Sequence, residues 1–106
     1  MKTYRLDQLA KTIRSKNAGV NKITFDVIFR DRETYDAVKQ ARAVTREKVC
    51  SLYGIAPERI SDFVEYDPGL AIKFTIYRSR PSGSAGDGDI FGAQQYAPLL
   101  GLPVAM

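Results

Sequence analysis

Apolar and polar residues alternate strictly in two stretches of this chain. In KITFDVIFR (22–30), Ile23, Phe25, Val27 and Phe29 share one side, Thr24 and Asp26 take the other, and Ile28 is an apolar exception. In LAIKFTIYR (70–78), Leu70, Ile72, Phe74 and Ile76 alternate with Ala71, Lys73, Thr75 and Tyr77. A period of two places successive side chains on opposite faces, so each stretch is expected to be a strand with one buried face. Both are rich in the β-branched and aromatic types that suit a pleated surface.

The pattern between them is helical. Asp31 can N-cap RETYDAVKQA, with Glu33 in the first turn, where a carboxylate complements the helix dipole. Tyr35, Val38 and then Ala41 or Arg42 follow at helical spacing. Thr45 can cap a second helix, REKVCSLY, with Val49, Leu52 and Tyr53 as its apolar stripe and Gly54 as its stop. ERISDFVEYD then reads as a strand with Ile60, Val64 and Tyr66 on one side. Asp67–Gly69 is a tight turn, which makes this strand and the Leu70 strand a hairpin.

The start of the chain supports two readings. Leu6, Leu9 and Ile13 suit a helix, whereas Leu9, Lys11 and Ile13 against Ala10 and Thr12 suit a strand. KNAGVN (16–21) looks like a turn, with Gly19 able to take positive φ. A strand before it would pair with the Ile23 strand. The order is then β-β-α-α-β-β, an α+β two-layer sandwich with a mostly antiparallel sheet and two helices on one face. At 106 residues the chain is expected to be a single domain, 1–106, with an α+β core at 1–78 and a Gly-rich loop and C-terminal strap at 79–106.

Composition narrows the chemistry. The chain has no histidine and one cysteine, Cys50. That removes Ser-His and Cys-His nucleophiles, structural zinc and a disulfide within the chain. Cys50, beside the apolar stripe, is expected to be a buried small hydrophobe. No apolar run has the length of a membrane span, and the N-terminal stretch lacks a secretory signal's apolar region, so a cytoplasmic location is expected. The net charge is +4, but residues 1–50 hold 12 Lys+Arg against 6 Asp+Glu, and residues 51–106 hold 4 against 6. A basic half can attract nucleic acid, an anionic cofactor or an acidic protein face, weighed against plain solvated surface charge. Without a Lys/Arg block or a nucleic-acid motif, nucleic acid is disfavoured.

Two stretches could carry a site. In IRSKNAG, the cations Arg14 and Lys16 flank Ser15, and Asn17 and Gly19 allow a sharp turn. Arg grips carboxylate or phosphate with its fork, Lys adds a point charge, and backbone amides of the turn can contribute. This is a candidate anion site, weighed against a plain polar hairpin turn. In PSGSAGDGDIFGAQQYAPLL, Ser82, Gly83, Ser84 and Gly86 form a special-backbone loop, but the glycine spacing matches neither familiar phosphate loop. Asp87 and Asp89 are candidate acid–base or divalent-cation groups, although a calcium loop starting at Asp87 fails at Phe91 and Pro98. Gln94, Gln95 and Tyr96 offer hydrogen bonds to a ligand. Leu99, Leu100, Leu102 and Val104 form an apolar strap expected to pack on this fold or on a partner.

These two stretches together, with FRDRETYDAVK, VTREKV and DPGLAIKFTI between them, resemble the bacterial family called domain of unknown function 4387 over nearly the whole chain. That family implies no activity. The chain also resembles the C-terminal ferredoxin-like domain of acyclic terpene utilisation protein A-like proteins. The resemblance rests on Arg14-Ser15, Ile28 to Asp31, Glu33 with Tyr35, Thr45, Glu47 and Val49, and Pro68 with Ala71. The chain departs from that domain by one residue near Ile13, and Lys16–Gly19 replaces its acidic turn. The resemblance implies a ferredoxin-like fold and a small or accessory subunit of a two-component catabolic enzyme, a hydratase or lyase acting on an acyl-CoA or hydroxy acid. It would share a site with a larger subunit of that kind. The alternative is a stand-alone anion-binding module forming a homo-oligomer.

Overall fold

The structure, a computed structural model, describes residues 2–78 and 96–106. Its centre is a four-stranded antiparallel sheet built from β2 (Ala10–Asn17), β3 (Lys22–Phe29), β4 (Ile60–Tyr66) and β5 (Ala71–Tyr77), in the order β2-β3-β5-β4. Helices α2 (Arg32–Gln40) and α3 (Arg46–Tyr53) connect β3 to β4 and cover one face. The result is the expected two-layer α+β sandwich, ferredoxin-like in its layering.

Helix ends follow the local chemistry. Asp31 accepts the Thr34 N–H at 2.7 Å, and Thr45 accepts the Lys48 N–H at 3.2 Å, so each helix has a side chain on an otherwise orphaned amide. Gly54 ends α3 at φ 63, a left-handed position that glycine takes without a Cβ clash.

The layers meet through aromatic rings. Phe25 stacks on Phe74 at 4.7 Å and meets Tyr53 of α3 at 5.5 Å, while Phe29 meets Tyr35 of α2 at 6.0 Å. Val27, Ile72, Val38 and Val49 fill the space between. Cys50 is only partly buried against this core, so the expected full burial is not met.

The N-terminal ambiguity resolves as both readings in succession. A short helix, α1 (Leu6–Leu9), leads directly into β2. Before it, β1 (Thr3–Arg5) pairs antiparallel with β6 (Pro103–Ala105), an element absent from the expected order. A second short helix, α4 (Ala97–Leu100), precedes β6. Leu99, Leu102 and Val104 are buried in the same core as Phe25 and Val38, so the described end of the strap packs on its own fold.

Three register details differ from strict alternation. A bulge between Ala10 and Thr12 re-phases β2, so Lys11 does not share a side with Ile13. A bulge between Ile60 and Asp62 does the same in β4. Ile60 and Phe63 therefore face the helices, whereas Val64 and Tyr66 are half exposed on the other side. Leu70 is not in the strand: it sits at φ 51 as the cap of the Asp67–Gly69 turn, and β5 begins at Ala71.

Candidate functional site

Among the described residues, the four-stranded sheet has one face under helices and one without. Every described helix puts its buried side chains into the single core on the first side. The second face carries Thr12, Arg14 and Lys16 from β2, Lys22, Thr24, Asp26 and Ile28 from β3, and their paired positions on β5 and β4. Cross-strand partners lie side by side on one face, so register alone groups these residues into rows.

One row is Arg14, Asp26 and Lys73, on β2, β3 and β5. Arg14 Nε donates to Asp26 Oδ2 at 3.0 Å, and Lys73 Nζ stands 3.3 Å from Asp26 Oδ1. The carboxylate is buried, with 4% of its side chain exposed, whereas Arg14 and Lys73 are 58% and 44% exposed. A buried charge is tolerable only when paired, and here two cations pair it from opposite sides. Arg14 engages Asp26 through Nε, and its terminal nitrogens have no partner among the described residues.

The next row holds Lys16, Thr24, Thr75 and Asp62. The Thr24 and Thr75 hydroxyls are 3.1 Å apart. Lys22, one further step along β3, lies over the Tyr77 ring at 5.0 Å. The face thus presents four cations, Arg14, Lys16, Lys22 and Lys73, against two carboxylates, Asp26 and Asp62. Arg14, Lys16 and Lys22 come from the basic N-terminal half, and register adds Lys73 from the other half.

A second polar cluster joins α2 to the β4–β5 turn. Tyr35 donates its hydroxyl hydrogen to Asp67 Oδ1 at 2.6 Å, and Lys39 Nζ donates to the same oxygen at 2.9 Å. Burial, then the hydrogen bond to Asp67, pushes the Tyr35 phenol well above its ordinary value. The Tyr35 and Lys39 donors hold the Asp67 carboxyl below the usual carboxylate range, and Asp67 in turn raises Lys39. All of these groups point to a structural tie between layers.

The expected anion turn is split by the strand it belongs to. Arg14 and Lys16 share the open face, while Ser15 and Asn17 point to the helix side. Ser15 is buried there and accepts the Tyr96 N–H at 3.0 Å, which brings the first candidate stretch and the strap together. Asn17 Oδ1 accepts from Arg78 Nη1 at 2.6 Å. Gly19 takes φ 83 in the β2–β3 turn, as the hairpin requires. Ser82, Gly83, Ser84, Gly86, Asp87, Asp89, Gln94 and Gln95 lie outside the described residues. Asp26 and Lys73 were missed as site residues. Alternation put them on the polar side of their strands, but nothing local says that β3 and β5 pair in the register that sets them beside Arg14.

Among the described residues no group of three or more His, Cys, Asp or Glu side chains is placed to hold a metal ion, and no helix is long and apolar enough to cross a membrane. Fold and face together define a small α+β sandwich with a cationic open sheet face. The chain belongs to the family described as domain of unknown function (DUF4387), whose model matches residues 6–103. Searches of curated proteins and of solved structures find no match.

Proposed function

We propose that this chain is an anion-binding accessory subunit whose open sheet face completes a ligand site with a larger partner. The observation that carries the reading is the Arg14–Asp26–Lys73 row. Two half-exposed cations are held by a buried carboxylate over the centre of a face that no described helix covers. Arg14 keeps terminal N–H groups for a planar carboxylate or a phosphate, and Lys73 and Lys16 add charge beside it. An exposed pair of cations binds an anion weakly in water, because the charges are screened. A partner covering the face would exclude that water and strengthen every contact. Val64, Tyr66 and Tyr77 are half-exposed apolar or aromatic side chains on the same face and suit such a cover.

The resemblance to the small domain of acyclic terpene utilisation protein A-like proteins supports a larger protein of that kind as the partner, and a hydratase or lyase as the assembled enzyme. The test is co-expression of the two chains followed by size exclusion with light scattering. A stable complex that Arg14→Glu with Lys73→Glu dissociates supports the reading. A chain that stays alone with every such partner, or that forms a complex the double variant leaves intact, removes the shared-face proposal.

A further inference from the structure

Asp26 Oδ1 is buried and makes no hydrogen bond among the described residues. Lys73 Nζ, 3.3 Å away, is close enough for an ion pair but is not aligned as a hydrogen-bond donor. Such an oxygen has left water and regained only part of what water supplied, so it costs stability. Its position adds to the point: it lies at the centre of the open face, between the two cations.

Resting on the reading of this face as an anion site, we infer that its ligand is a carboxylic acid carrying a hydrogen-bond donor next to its carboxylate. The ligand carboxylate meets the terminal nitrogens of Arg14 and the Lys73 ammonium. The neighbouring donor, a hydroxyl or an ammonium, fills the vacant valence of Asp26 Oδ1. Lys73 is the piece that moves. It sits on a flexible stem, its side chain is 44% exposed, and turning it outward to the ligand uncovers Oδ1. Arg14 stays in place through Nε on Oδ2. A hydroxyl suits the site better than an ammonium, because Arg14 and Lys73 already set two cations against one buried carboxylate. An acid with no such donor leaves Oδ1 unsatisfied and brings a second negative charge towards Asp26.

The experiment titrates the full chain with propionate, lactate and alanine, followed by amide chemical shifts at one pH and ionic strength. Lactate is expected to bind roughly tenfold more tightly than propionate, the worth of one hydrogen bond to a charged group, with alanine between them. Arg14→Ala abolishes binding of all three. Asp26→Val brings lactate down to propionate, and the isosteric Asp26→Asn lowers the preference in the same direction should the valine variant not fold. Equal binding of the three acids, all lost in Arg14→Ala, overturns the donor inference and leaves the anion site standing. A lactate preference that survives both Asp26 variants also overturns it. Amide shifts detect the weak binding expected of the uncovered face, so no binding by any acid up to saturating concentrations, or binding indifferent to Arg14→Ala, overturns the anion-site reading itself.

Discussion

Tyr35 and Asp67 share the shortest tie between the helix layer and the sheet's hairpin turn: the phenolic O–H donates to Oδ1 at 2.6 Å, across 32 residues of sequence. The bond is oriented by Lys39, which donates to the same oxygen. Because the Asp67 carboxyl is depressed in the folded protein, its contribution is complete above the unfolded value and is lost as pH falls through the folded one. Tyr35 and Lys39 are raised, so their contributions are complete below their unfolded values and are lost as pH rises through the folded ones. Asp67→Asn should therefore lower the melting temperature at neutral pH and flatten its decline below about pH 4. Tyr35→Phe should cost about 1–2 kcal/mol by denaturant titration. An unchanged acid limb in Asp67→Asn would remove this linkage.

Asp26 separates stability from binding. Replacing a buried, incompletely bonded carboxylate with an apolar β-branched residue on a central strand is often neutral or favourable. Asp26→Val should match or exceed the native melting temperature, since Arg14 and Lys73 are exposed enough to be solvated once released. A loss of more than about 3 kcal/mol would show instead that the row is there to hold the sheet together.

The strap is a core element in its described part. Leu99 has no exposed surface and lies in the cluster with Val104 and Leu6. Leu99→Ala should cost about 2–5 kcal/mol by chemical denaturation. A cost below about 0.5 kcal/mol, the range of surface substitutions, would contradict the packing.

Two left-handed positions predict opposite signs. Gly54, at φ 63, has open space where a Cβ would stand, so the cost of Gly54→Ala is conformational, about 1 kcal/mol. Arg42, exposed at φ 52, already bears that strain, and Arg42→Gly should raise stability by up to about 1 kcal/mol. Thermal melts of the two single variants should shift in opposite directions.

The parts that were legible in the chain are those decided within a few residues. Both helix caps, the Gly54 stop and the buried faces of β3 and β5 follow from local spacing and side-chain chemistry. The facing of β4 was misread because its bulge falls at Ser61, where one extra residue inverts every side chain that follows. The N-terminal segment supports both patterns because a four-residue helix leads straight into an eight-residue strand, and each pattern is too short to exclude the other.

The sequence by itself determined the layers, the two helices between hairpins and the presence of two cations at Arg14 and Lys16. It determined them because periodicity, capping and turn chemistry act over short separations. Only the tertiary structure decided what those cations meet. Pairing register is set by how whole strands settle against a common core, and that register brings Asp26 and Lys73 to Arg14 while turning Ser15 inward to Tyr96.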